Sequence, residues 1–186
     1  MTEPATLEKT MTEAEVSLRL AMHYISEGAV VGDVTVSLDG AHVRCGGRAV
    51  FDVVSFLAER GWRKIGASDT WQGTYQNDCF SPKIEIGAKP GKGDVRIALR
   101  NGERLFVESK KIKGGRGGEY AAMHEAIGQV MTGCPKDEIP VVAVPYCEES
   151  ERRANDWLDG KENSRLREIG IRIALVHRDG CVTLKK

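Results

Sequence analysis

Gly93-Asp94-Val95-Arg96-Ile97-Ala98-Leu99-Arg100-Asn101-Gly102-Glu103-Arg104-Leu105-Phe106-Val107-Glu108-Ser109-Lys110 is the stretch on which the reading turns. Two apolar runs flank Asn101-Gly102, and that pair is the strongest short-range hairpin signal a sequence offers. Asp94 opens the first strand, and after a gap of thirteen residues Glu108-Ser109-Lys110 closes the second. Side chains alternate along a strand, so Glu108 and Lys110 share a face and Ser109 points away. Two carboxylates held close resist ionising together, and a hard divalent cation removes that cost. A lysine beside such an ion can orient or deprotonate a water. The layout is equipment for metal-assisted hydrolysis of a phosphodiester.

The parity of Asp94 poses a problem. A two-residue turn at Asn101-Gly102 pairs Arg100 with Glu103 and therefore Asp94 with Ser109, which aims Asp94 away from Glu108. Three arrangements restore a common face: a three-residue loop with a glycine bulge, a bulge further along the ladder, or an Asp94 that precedes regular pairing. One of these is expected.

The Asp94 … Glu108-Ser109-Lys110 signature resembles that of the PD-(D/E)XK nuclease superfamily, in its Mrr-like or resolvase-like branch. Ala126-Ile127-Gly128-Gln129, on a helix expected over Glu119 to Met131, resembles the stretch in which those branches carry an active-site glutamine. The likeness covers roughly Arg48 to Leu184. It departs from the pattern at Gly93, where a proline is usual, in the long connection from Lys64 to Lys92, and in lacking the tyrosine that often follows the glutamine helix. What the resemblance implies is an α/β fold with a restriction-endonuclease-like core: a central mixed β-sheet flanked by helices, built as helix, three strands, helix, strand. It implies a Mg²⁺-dependent DNA endonuclease, with Mn²⁺ able to substitute. Asp94 and Glu108 then hold the metal, with the backbone carbonyl of Ser109 as a further ligand, while Lys110 positions the water. Gln129 orients that water or a phosphate. Asp52, on a helix expected from about Ala49 to Arg60, is matched to the acid of the family's first core helix and to a second metal shell, with Glu59 behind it. The family also suggests a homodimer and a setting in bacterial or phage defence. A non-catalytic nucleic-acid-binding or assembly module on the same fold is one alternative. A nuclease for RNA, or for branched or single-stranded DNA, is another.

Bulk charge is silent on partners, because Lys+Arg and Asp+Glu balance at 27 each. Local charge favours nucleic acid: Lys92, Lys111, Lys113 and Arg116 crowd the motif, and phosphate-backbone contacts are assigned to them. The glycine-rich loop carrying the last three lacks a GKS or GKT ending, so no nucleotide cofactor is expected. Cys45, Cys79, Cys134, Cys147 and Cys181 are odd in number and contain no CxxC pair. With no leader pattern, this reads as free thiols in a reducing cytoplasm. No apolar stretch approaches the length of a membrane span.

The remaining elements are read from caps and periodicity. Thr12-Glu13-Ala14-Glu15 is a capping box before the stripe Val16, Leu20, Tyr24, and Gly28 ends that helix. Val34–Leu38 and Ala41–Cys45 flank Asp39-Gly40 as a second hairpin signal. These place residues 1–47 as an N-terminal helix-plus-hairpin extension and residues 48–186 as the nuclease core. Trp71, Tyr75 and Phe80 read as anchors for a wandering segment or as a base-stacking groove. Ile139 to Pro145 reads as a strand buried on both faces.

Overall fold

A computed structural model describes residues 11–45, 48–88, 93–112, 118–160 and 164–186. The first helix, α1 (Glu13–Ser26), starts where the capping residues put it: Thr12 Oγ1 accepts the Glu15 N–H at 3.1 Å. Glu15 turns its own carboxylate to Arg19 Nε, 2.9 Å away. Gly28, at φ +65°, ends the helix. Its N–H donates to the Ile25 carbonyl and that of Ala29 to Tyr24, the paired bonds of a left-handed C-cap.

The chain continues through β1 (Val34–Ser37), α2 (Gly40–Val43), β2 (Arg44–Cys45), β3 (Arg48–Ala49), α3 (Val53–Ala58), β4 (Arg63–Ile65), β5 (Gly73–Asn77) and β6 (Phe80–Gly87). It then forms β7 (Val95–Ala98), β8 (Arg104–Ser109), α4 (Gly118–Gly133), β9 (Ile139–Pro145), α5 (Glu148–Asp159), α6 (Ser164–Glu168), β10 (Arg172–Val176) and β11 (Val182–Lys185). Nine strands make one mixed sheet in the order β11-β10-β9-β8-β7-β1-β6-β5-β4. β1 runs parallel to β6 and antiparallel to β7, while β8, β9 and β10 are mutually parallel. Helices cover both faces. On one, α1 and α3 bury Leu18, Leu20, Phe56 and Leu57 against Val34, Ile84, Ile97, Val107 and Val141. On the other, α4 and α5 bury Met123, Ala126, Val130 and Trp157 against Phe106, Val142 and Ile173. The molecule is thus an α/β protein with a mixed sheet between helical layers.

Two expectations are corrected here. The hairpin across Asp39-Gly40 does not form. Asp39 Oδ1 accepts the Ala41 N–H at 2.9 Å, and this local turn leads into α2 instead. β1 is left to find partners far along the chain, and it pairs with β6 and β7 inside the sheet. The helix and strand expected as an extension therefore lie at the centre of the fold, where α1 and β1 share one hydrophobic cluster with β7, β8 and β9.

The segment that carries Trp71, Tyr75 and Phe80 leads into the β5–β6 hairpin, whose register shifts between Tyr75 and Asn77. Tyr75 is fully buried, its hydroxyl donating to the Trp71 carbonyl at 2.8 Å, and Phe80 stacks on Trp62 at 6.1 Å. These rings anchor the sheet and leave no base-stacking groove of Tyr75. β9 is buried as its apolar run requires. Cys79, Cys134, Cys147 and Cys181 are free thiols. Among the described residues, no helix is long and apolar enough to cross a membrane.

Candidate active-site cleft at one end of the sheet

The β7–β8 hairpin turns on three residues, Arg100, Asn101 and Gly102. The Leu99 N–H donates to the Glu103 carbonyl at 2.8 Å and the Gly102 N–H to the Leu99 carbonyl at 3.0 Å. Gly102 takes φ +88°, the left-handed conformation that a turn followed by a glycine bulge demands. The ladder pairs Val95 with Val107, Arg96 with Phe106, Ile97 with Leu105 and Ala98 with Arg104. One step further along, that register sets Asp94 opposite Glu108. The extra loop residue is the first of the three arrangements that restore the common face. Asp94, Glu108 and Lys110 accordingly follow Phe106 onto the α4 side of the sheet.

Asp94 is held at both ends. Its N–H donates to the Val107 carbonyl at 2.7 Å, its carbonyl accepts the Ser37 N–H at 2.8 Å, and its Oδ2 accepts the Ser109 N–H at 2.7 Å. The residue before it explains a departure from the family pattern. Gly93 has φ +76°, and a Cβ placed there would lie 3.0 Å from the Phe106 ring. Proline locks φ near −65° and cannot occupy this position without refolding it.

These residues form the floor of a cleft of about 610 Å³. Its rim comes from both helical layers: Glu13 and Ser17 of α1 on one side, Gln129 and Thr132 of α4 on the other, with Asp39 at the exit from β1. Among the described lining residues, four carboxylates (Glu13, Asp39, Asp94 and Glu108) face a single ammonium, that of Lys110. Burial first, and then the charge of Asp94, push the Glu108 carboxyl up to about 7; Lys110 offsets part of this and Glu13 adds to it. Burial acts against the charge on Lys110, yet the Glu125 hydrogen bond and the fields of Glu13, Glu125 and Asp94 leave its amine above the ordinary lysine value. Gln129 Oε1 is buried without a hydrogen-bond partner.

Not every expected residue joins the cleft. Asp52 caps α3: its carboxylate accepts the Ser55 N–H at 3.0 Å and the Ser55 hydroxyl at 2.8 Å, which is what an aspartate before a helix does best. Glu59 ends that same helix, beside Arg60. The acid that a helix does deliver is Glu13, which the sequence presented only as part of a helix start. The Ser109 side chain is fully buried and follows Leu105 and Val107 toward the α1 layer. Lys111 is half-buried just beyond β8. Lys92, Lys113 and Arg116 lie outside the described residues. Two arginines near the motif in sequence serve the fold instead: Arg96 pairs with the buried Glu138, which Arg104 also reaches at 3.0 Å, and Arg100 donates to the Gly28 carbonyl at 2.7 Å.

Among the described residues, no three His, Cys, Asp or Glu side chains converge into a ready-made metal cage. Comparison with protein-family models, with curated proteins and with solved structures finds no match to this chain.

Proposed function

We propose that this protein is a Mg²⁺-dependent endonuclease that hydrolyses phosphodiester bonds of DNA, on a restriction-endonuclease-like core. The observation that carries the reading is the placement of Asp94 opposite Glu108, with Lys110 just past the end of β8 and in phase with Glu108. The element order supports it as well. α1, β1, β7, β8, α4 and β9 follow one another as helix, three strands, helix and strand, with residues 38–94 inserted between the first two strands. In this order of elements α1 takes the place of the first core helix, and the acid it brings to the cleft is Glu13.

The donor set suits a hard cation. Asp94 and Glu108 supply two carboxylates, one of them strained toward protonation by burial and by the other. Mg²⁺ typically binds through one or two carboxylates and completes its shell with water and substrate phosphate, so a third acidic ligand is not required. Asp94 and Glu108, with the Ser109 carbonyl as a further ligand, would hold the ion, which would supply charge neutralisation at the phosphate and lower the pKa of the attacking water. Mn²⁺ serves in its place. Lys110 directs its ammonium at the attacking water and the phosphate, and Gln129 Oε1, buried without a partner, accepts a hydrogen bond from that water to fix its direction. Phosphate contacts are assigned to Lys92, Lys111, Lys113 and Arg116 by their sequence proximity to the motif, and a homodimer would bring one cleft to each strand.

A non-catalytic binding module is the weaker reading, because the described lining, with four carboxylates and one ammonium, suits phosphate poorly unless a cation intervenes. The test is plasmid nicking in Mg²⁺ or Mn²⁺ against EDTA, with Glu108→Ala and Lys110→Ala checked for intact folding by circular dichroism. Both variants are expected to lose cutting. If both cut as the parent does, the assignment is wrong. A panel of duplex, single-stranded and branched DNA and of RNA, at one salt concentration, identifies the substrate.

A further inference from the structure

Lys110 is gripped from outside the cleft. Its Nζ lies 3.0 Å from Oε1 of Glu125, on α4. The two ends of this pair differ: the lysine side chain is 12% exposed and the glutamate 58%. An ion pair with both ends in solvent contributes little and holds nothing. Here one end is confined beneath the helix while the other reaches in from the surface. Lys110 lines the cleft and Glu125 does not, so the carboxylate does not occupy the space a substrate phosphate would fill. A lysine ammonium has three N–H donors. One is directed at Glu125, which leaves two for partners on the cleft side. Gln129 stands one turn further along α4, so the same helix supplies the clamp and a wall of the cleft.

We infer that Glu125 is a positioning residue for Lys110, fixing where its ammonium points without itself touching the substrate. What Lys110 then does rests on the nuclease reading above; the grip itself does not. Three variants separate the possibilities. Glu125→Ala removes the clamp, Glu125→Gln keeps an acceptor oxygen at the same reach, and Glu125→Asp draws it back by one methylene.

Two measurements decide between them. The first compares the single-turnover cleavage rate at saturating DNA with the affinity for an uncleavable phosphorothioate oligonucleotide. Glu125→Ala is expected to slow the rate by roughly tenfold or more, since a small misplacement of a reacting group is costly. Its affinity and melting temperature should stay close to parental. Glu125→Gln should recover most of the rate, and Glu125→Asp less. The second is acetylation by acetic anhydride, mapped by mass spectrometry, with Lys111 as the internal reference. Lys110 should label several times faster in Glu125→Ala than in the parent. Parental cleavage by Glu125→Ala, a loss of affinity in step with rate, or an unchanged Lys110 labelling ratio would each overturn the inference. If the parent cuts no nucleic acid, the nuclease reading fails, while the labelling ratio still decides whether Glu125 holds Lys110.

Discussion

The backbone N–H of Ser109 donates to Asp94 Oδ2 across 2.7 Å, tying the first acid of the motif to the residue between the other acid and the lysine. The bond is available because a three-residue loop shifts the register so that Asp94 stands opposite Glu108. Gly102 sustains that loop with φ +88°. A Gly102→Ala substitution is therefore expected to destabilise the protein by about 1–2 kcal/mol, the cost of left-handed backbone for an L-residue. Deleting one residue of the loop should do more, turning Asp94 to the opposite face. Thermal melting and Mn²⁺ binding measured on the same samples check both; a deletion that leaves Mn²⁺ affinity intact would refute the role given to register.

Gly93 gives a second expectation. A methyl group there meets the Phe106 ring at 3.0 Å on backbone with φ +76°. Gly93→Ala should cost about 2 kcal/mol from crowding and backbone strain together. Gly93→Pro, which supplies the residue usual in the nuclease family that the motif resembles, should be worse rather than better, as chemical denaturation will report.

Glu108 makes stability depend on pH in a definite direction. Its carboxyl is raised from 4.5 to about 7 in the folded protein. A raised value means that the folded state binds the proton more tightly than the unfolded chain. The resulting stability is fully present below about pH 4.5 and is lost as pH rises through about 7. In EDTA, Glu108→Gln should melt above the parent at pH 8, and the gap should close as pH falls toward 4.5. Added Mg²⁺ at pH 8 should raise the melting temperature of the parent far more than that of the variant. A gap that does not vary with pH would mean that the Glu108 carboxylate is not held in the environment described.

Nucleic-acid binding and divalent-cation binding should reinforce each other. The described cleft lining repels phosphate until its carboxylates are neutralised, and linkage makes the coupling reciprocal. Fluorescence anisotropy with an uncleavable oligonucleotide is expected to show weak binding in EDTA and roughly tenfold tighter binding in Mn²⁺. Equal affinity in the two buffers would locate the contacts elsewhere.

Asp52 caps α3, while Glu13 lines the cleft, so the proposed function transfers to Glu13 the part expected of Asp52. Asp52→Ala removes a helix cap and should cost about 1 kcal/mol of stability while cutting proceeds. Glu13→Gln, at the rim of the cleft, should impair cutting and weaken Mn²⁺ binding. Nicking assays on the two variants, normalised to folded protein, decide between them.

What the sequence determined by itself is local. The Thr12 cap, the Gly28 stop, the buried run from Ile139 to Pro145 and the convergence of Glu108 and Lys110 on one face all depend on residues within a few positions of one another. Even the parity problem of Asp94 was legible, although whether the loop held two residues or three was not. Only the tertiary structure decided what lies beside the motif. It drew β1 into the middle of the sheet, brought Glu13 to the cleft across most of the core, set Glu125 against Lys110, and left Asp52 to cap a helix elsewhere. Caps and alternation act through neighbouring backbone, so a sequence displays them directly. Strand order and helix placement follow from how whole apolar faces bury one another, a sum over distant parts of the chain that no single stretch displays.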